Sequence, residues 1–139
     1  MIVEKSCGAV VFTEINGKLK YAIICSSEGF YGFPKGHMEP NETEEETALR
    51  EIKEETNLDV KILKNFRTTT QHTFFKNGEE RLKKITYFIG KYDNQTYSKQ
   101  EDEISGISLM DFEEALRKIQ FDDTKGVLKE AEDYLNKNT

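Results

Sequence analysis

The apolar positions of this chain gather first into short β-branched and aromatic runs. Cys7 to Phe12 and Tyr21 to Cys25 read as two strands, and Thr13 to Lys18 between them carries an Asn16-Gly17 pair that suits a tight hairpin turn. Ser26 to Pro40 is rich in Gly, Ser and Pro with aromatics embedded, which predicts a long irregular loop of the kind that often carries function. From Thr43 the period changes. Thr43 and Glu46 stand at capping-box spacing, and Ala48, Leu49, Ile52 and Thr56 fall on one flank of a predicted helix that ends near Asn57. Beyond it Val60 to Phe66, Thr68 to Phe75 and Arg81 to Tyr92 read as strands. Lys76-Asn77-Gly78-Glu79 turns the chain between the last two, and Ile104 to Leu109 predicts another strand. The tail holds two helical stretches, Asp111 to Ile119 and Asp123 to about Asn136, the second with Val127, Leu128, Ala131 and Leu135 at helical spacing. Strands first, a helix in the middle and helices at the end place the chain in the α/β or α+β class, with a mixed sheet covered by helices on both faces. Strand order stays open.

Composition narrows the setting. The 139 residues, 36% of them hydrophobic, suit one domain spanning 1–139 that closes a core without disulfides or a structural metal. The net charge of −6 argues against general affinity for long nucleic acid, because counterion release needs clustered Lys and Arg. A small polyphosphate remains compatible, provided divalent cations bring its charge to the site. Metal therefore becomes an expectation. No run approaches the ~18 apolar residues of a membrane span. Met1-Ile2-Val3-Glu4-Lys5 lacks the basic and then apolar order of a signal peptide, so a cytoplasmic location is expected. Cys7 and Cys25 lie in strand-like surroundings without metal-ligand spacing, and read as small buried hydrophobes rather than reactive or bridging thiols.

The central helix carries the candidate chemistry. Glu51, Glu54 and Glu55 stand at i, i+3 and i+4, so their carboxylates leave neighbouring points of one face and repel each other. With Ala48, Leu49 and Ile52 beside them, they are expected at the edge of the core, where a lower dielectric sharpens the repulsion. Relief comes from protonating one carboxyl, from a basic partner, or from a hard cation held through oxygen ligands. Arg50 neutralises only part of the charge. An exposed acidic helix with Arg50 and Lys53 as partners is the plain alternative.

The spacing goes further than the charge. Gly36, five residues, Glu42, seven residues, then Arg50-Glu51-Ile52-Lys53-Glu54-Glu55-Thr56-Asn57-Leu58 resembles the box of the Nudix hydrolases. The resemblance implies an α/β/α sandwich with a mixed sheet. It also implies that Glu51, Glu54 and Glu55 act as metal ligands or water activators, that Glu42 and Arg50 form an orienting pair, and that Lys35 lends a backbone carbonyl to the metal. Asn57 stands where the family has Gly; the physical need there is a left-handed helix cap, which Asn tolerates next best.

Phe33-Pro34-Lys35-Gly36-His37 followed by Glu39-Pro40 is similar to a segment of the asymmetric diadenosine tetraphosphate hydrolases, a branch of the same family, and the order Lys83, Tyr87-Phe88, Glu103, Phe121 extends the likeness over most of the chain. That likeness makes Tyr87 and Phe121 candidates to stack on an adenine ring, although both are equally readable as core aromatics. Lys35 and Lys83 become candidate phosphate contacts. His37 becomes a donor to phosphate or to the loop backbone, and Glu103 a metal ligand or base. His72 reads as a satisfied structural imidazole without a role. Tyr31 departs from the branch, which commonly shows Trp there.

The function so implied is Mg²⁺-dependent hydrolysis, Mn²⁺ being a substitute, of a dinucleoside polyphosphate or other nucleotide. Diadenosine tetraphosphate would give ATP and AMP, with Glu54 or Glu103 receiving the proton of the attacking water. The alternatives are a Nudix pyrophosphohydrolase acting on nucleoside triphosphates, RNA 5′ ends or diphosphoinositol phosphates, and a binding module that senses a nucleotide without cutting it.

Overall fold

Asn16 and Gly17 both take positive φ, 53° and 77°, and close the first hairpin as an Asn-Gly pair should. Asn77 and Gly78 do the same for the second, at 54° and 75°. The structure is a computed structural model that describes residues 1–100 and 102–138. In chain order its elements are β1 (Ile2–Ile15), β2 (Lys18–Ser26), β3 (Tyr31–Gly32), β4 (Lys35–His37), α1 (Glu44–Thr56), β5 (Lys61–Ile62), β6 (Thr68–Lys76), β7 (Glu79–Lys91), β8 (Ile104–Met110), α2 (Phe112–Lys118) and α3 (Asp122–Lys137). No helix among the described residues is long and apolar enough to cross a membrane.

The eight strands form one mixed sheet with β1 at its centre. On one side β1 runs parallel to β7, from Ile2 opposite Arg81 to Phe12 opposite Lys91. On the other it pairs antiparallel with β2 only through Phe12 to Ile15. That leaves the first half of this edge open, and β4 fills it, with Gly8 opposite Lys35 and Cys7 opposite Gly36. β8 and β3 extend the sheet beyond β2, while β5 and β6 pair with β7.

Strand side chains alternate between two faces. Cys7, Ala9, Val11 and Phe88 pack with Ala48 and Ile52 of α1 on one face. Val10, Phe12, Tyr21, Ile23, Ile85, Tyr87 and Ile89 pack with Ala115, Val127, Leu128 and Ala131 of α2 and α3 on the other. The Tyr21 hydroxyl, pushed well above its ordinary pKa by burial, donates to Glu132 of α3 across the second face. The expected α/β/α arrangement of a mixed sheet under helices on both faces is thus present.

Three sequence expectations need correction. Ser26 to Pro40 is not wholly irregular, since β3 and β4 arise within it by pairing with β2 and β1; such pairing depends on distant chain and leaves no local periodicity. Val60 to Phe66 yields only the two residues of β5, because Asn65 turns the chain at φ 72°. Leu49 is 39% exposed, outside the buried flank formed by Thr47, Ala48, Ile52, Glu55 and Thr56. Cys7 is buried, as expected, and its thiol is pushed up to about 11, chiefly by desolvation. Cys25 is half-buried.

Candidate active site

Both ends of α1 are fixed by local chemistry. The Thr43 hydroxyl accepts from the Glu46 amide at 3.1 Å and the Glu46 carboxylate accepts from the Thr43 amide at 2.8 Å, closing the capping box. At the other end Asn57 takes φ 63° and its amide donates to the Lys53 carbonyl, so asparagine does make the left-handed cap. Between these ends the three glutamates meet different surroundings. Glu55 is buried at 7% exposure, the Glu51 side chain is 14% exposed, and the Glu54 side chain is 46% exposed. The acidic arc therefore runs from core to solvent across one helical turn.

Gly36 sets how close β4 comes to this arc. A Cβ there would lie 2.1 Å from Cδ of Glu51 and 2.2 Å from its Oε2, so the Glu51 carboxylate occupies the space a side chain would need. The strand and the helix are held together by Arg50. Its Nε donates to Glu42 at 2.6 Å, its Nη2 to Glu42 at 3.0 Å and to the His37 carbonyl at 3.0 Å, and its Nη1 to Glu51 at 2.8 Å. Glu42 also accepts from the Thr47 hydroxyl at 2.8 Å and from the Glu39 amide at 2.9 Å. Glu42 and Arg50 are thus hydrogen-bonded to each other.

These bonds have a consequence for acid stability. The Arg50 hydrogen bond, helped by the Glu39 amide, holds the Glu42 carboxyl at about 2, against 4.5 ordinarily. A carboxyl whose folded value is depressed stabilises the fold above its unfolded value and loses that contribution as pH falls toward the folded one. Wild type is therefore expected to lose stability between pH 4.5 and about 2 in a Glu42-dependent way. Chemical denaturation at steps across this window should show a steeper acid loss for wild type than for Glu42→Gln, and parallel curves would contradict the bond.

Beside the arc lies a cavity of about 720 Å³. Its charged lining residues are Glu28, Lys35, Glu55, Lys83, Glu103 and Asp123, and its aromatic rings are Phe30, Tyr31, Phe33, Tyr87 and Phe121. Burial is the main cause that lowers the pKa of Lys35, with the Lys83 ammonium adding to it. Phe30 and Phe121, at 45% and 51% exposure, meet at the cavity with ring centroids 5.2 Å apart. Gln120 fixes this corner: it accepts from the Tyr31 amide at 3.1 Å and donates to the Gly29 carbonyl at 2.9 Å, tying the turn after β2 to the start of α3.

The predicted site residues divide accordingly. Lys35, Glu55, Lys83, Tyr87, Glu103 and Phe121 come together around the cavity. Glu51, Glu54 and Arg50 stand on the neighbouring turn of α1, joined by the 2.8 Å and 3.3 Å contacts of the guanidinium. His37 is not brought to the cavity; its side chain is exposed on β4 and its carbonyl serves Arg50. Tyr87 is almost wholly buried, edge-on to Phe33 at 5.8 Å, while Phe121 offers an exposed ring. Of the two aromatics, Phe121 is thus the one with a free face. His72 is no buried structural imidazole: it is exposed and lines the cavity beside Thr70. Phe30, Asp123 and Thr124 also line it unannounced, and only the alternation of β6 and the first turn of α3 could have pointed to His72 and Asp123.

The residues around the arc suit a hard divalent cation by donor chemistry, since Glu51, Glu54, Glu55 and Glu103 offer carboxylate oxygen alone. Among the described residues no three His, Cys, Asp or Glu side chains stand at metal-ligand spacing. Arg50 stands between Glu51 and Glu54 and bonds both. Glu54 is half-exposed and held only by contacts of 3.3 and 3.4 Å, so a rotamer change there frees its oxygens without disturbing the core.

Comparison with known proteins agrees with this geometry. The sequence of the pig (Sus scrofa) bis(5′-nucleosyl)-tetraphosphatase [asymmetrical] is 28% identical over 145 residues, covering 94% of this chain and 95% of the relative. The Caenorhabditis elegans enzyme of the same description is 24% identical, with 96% and 98% covered. A crystal structure of a C. elegans Ap4A hydrolase binary complex superposes with a TM-score of 0.84 at 23% identity, covering 96% of this chain and 98% of that one. That superposition shows the shared fold. The sequence model described as NUDIX domain matches residues 7–130, which takes in the strand pairing, the Gly36 to Leu58 box and the cavity together, and the chain accordingly belongs to the Nudix hydrolase family.

Proposed function

We propose that this chain hydrolyses dinucleoside polyphosphates, and diadenosine tetraphosphate in particular, to ATP and AMP with Mg²⁺. The observation that carries the reading is one cavity lined both by charged side chains, Lys35, Lys83, Glu55 and Glu103 among them, and by the exposed rings of Phe30 and Phe121. A nucleotide combines the same two kinds of group. The relatives with this activity in their names match over nearly the whole chain, which supports the choice of substrate.

Lys35 and Lys83 line the cavity and would contact the phosphate oxygens as point charges. Phe121, with Phe30 beside it, offers an exposed ring to a base. Glu51, Glu54, Glu55 and Glu103 would hold the cation, which when bound neutralises the polyphosphate and acidifies a water. Glu42 and Arg50 hold β4 and the acidic turn in place. In the reaction the water oxygen bonds to phosphorus, one P–O anhydride bond breaks and the bridging oxygen leaves with the other product. Glu54 or Glu103 takes up the proton.

Chromatography of products from diadenosine tetraphosphate with and without Mg²⁺ tests this. ATP and AMP in equal amounts, formed only with the metal, are the expected result. ADP alone would contradict the cleavage register, and no product from this substrate or from nucleoside triphosphates would favour a binding module instead.

A further inference from the structure

We propose that β6 is the pairing edge of a homodimer, in which it adds antiparallel to β6 of a second copy of this chain. On one side β6 pairs with β7 in an unbroken register, from Thr68 opposite Tyr87 to Lys76 opposite Glu79. Among the described residues no strand pairs with its other side. The two-residue turn at Asn77 and Gly78 makes Lys76 and Glu79 a hydrogen-bonded pair, and such pairs alternate along a hairpin. Thr68, Thr70, His72, Phe74 and Lys76 therefore bond to β7, while Thr69, Gln71, Thr73 and Phe75 turn their amides and carbonyls outward.

An edge in this state is a template for another strand. Natural edges are blunted by charges along the strand, by proline or by a bulge. β6 has none of these over its nine residues, and its one Lys or acidic residue is Lys76 at the hairpin end. The four residues with outward backbone are all exposed, Phe75 at 72%. Threonine and phenylalanine also suit an extended backbone, so little ordering cost stands against pairing.

Register and charge single out a second copy as the partner. Two identical strands meet antiparallel about a two-fold axis, and only residues facing outward can exchange backbone bonds. Centring the axis on His72 sets Thr69 opposite Phe75 and Gln71 opposite Thr73, twice each, for about eight backbone bonds. A shift by two residues gives fewer. The same register sets Lys76 opposite Thr68 of the other copy. The Thr68 hydroxyl donates to Glu130 of α3 at 2.9 Å, so each Lys76 arrives beside a carboxylate of the other copy. Arg67, held by Glu44 at 2.8 Å, falls opposite Asn77, and the cations of the two strands stay apart. Beside the edge a groove of about 430 Å³, lined by Thr69, Gln71, Asp122, Gly126 and Glu130, leaves room for the incoming side chains below α3.

Sedimentation velocity of the full chain over a range of concentrations tests this. A single strand edge buries little area, so a dimer dissociating at about 10 to 100 µM is expected. Thr73→Pro removes an outward amide that β7 does not use, and should weaken the dimer about tenfold or more. Lys76→Glu and Glu130→Lys should each weaken it, and the two together should restore it. His72→Cys sets two thiols across the axis and should give a disulfide-linked dimer under mild oxidation, with wild type, which has only Cys7 and Cys25, as the control. A chain that stays monomeric to about 500 µM, well above the expected dissociation range, would overturn the proposal. So would a dimer that both Thr73→Pro and the charge exchanges leave unchanged, or one in which His72→Cys forms no cross-link, since the contact would then lie on another surface.

Discussion

Exchange of Glu54 for glutamine is expected to lower kcat by about a thousandfold while leaving the thermal midpoint within about 2 °C of wild type. The two halves of this prediction come from the same geometry. Glu54 is the half-exposed member of the acidic turn, and its contact with Arg50 at 3.3 Å is a surface pair worth about 0.5 kcal/mol or less. Its removal costs the fold little, because Arg50 keeps its shorter bonds to Glu42 and Glu51. The amide, in contrast, cannot take up a proton and is a poor ligand for a hard cation. Steady-state turnover and thermal unfolding measured on one preparation separate these effects. Unchanged turnover would remove Glu54 from the chemistry and pass the proton to Glu103, which lines the cavity beside Glu55. The companion variant Glu103→Gln then decides the matter, since the exchange that removes the proton acceptor should be the one that abolishes turnover.

Replacement of Gly8 by alanine is expected to destabilise the protein by about 3 kcal/mol and lower its melting temperature by about 10 °C. Gly8 lies in the middle of β1, opposite Lys35 on one side and Tyr87 on the other. A Cβ there would stand 2.1 Å from the Pro34 carbonyl oxygen and 2.5 Å from Cβ of Lys35. Such distances cannot be relieved by turning a side-chain tip, because the obstacle is backbone. The Phe33 to Lys35 segment would have to lift from the sheet, breaking the 3.2 Å bond from the Ala9 amide to the Pro34 carbonyl. Activity should fall with stability, since the same segment carries Lys35 and leads into Gly36. Unfolding curves of Gly8→Ala that overlay wild type would show that β4 does not pass as close as this. The contrast with Gly36 is informative: there the space is taken by the end of the flexible Glu51 side chain, so crowding would move a functional carboxylate more than the backbone.

Much of the architecture was legible because it is written in short-range chemistry. The two Asn-Gly turns, the Thr43 and Glu46 box and the Asn57 cap each depend on residues a few positions apart, and all four formed as read. The pairing of Glu42 with Arg50 across eight positions followed from the Nudix spacing, and the structure shows its bonds at 2.6 and 3.0 Å. The spacing of Val127, Leu128, Ala131 and Leu135 assigned the buried face of α3 correctly, since period and face are local properties of a helix.

What stayed hidden depends on distant segments meeting. Nothing in Lys35-Gly36-His37 shows that it is a strand, because its partner lies almost thirty positions earlier, along the half of β1 that β2 leaves open. Leu49 reads as core by helical spacing, yet it is exposed in the folded chain. His72 has the surroundings of an ordinary strand residue until the register of β6 against β7 sets it beside Lys83 in the cavity. Phe30 and Phe121 are ninety-one positions apart and meet where Gln120 ties two connections together. The sequence by itself thus determined the family, the helix with its acidic turn and the buried face of α3, since each follows from spacing along the chain. The tertiary structure alone decided which side chains share the cavity, how near the backbone of β4 comes to Glu51 and which aromatic ring stays open, because these are distances between elements that local periodicity does not encode.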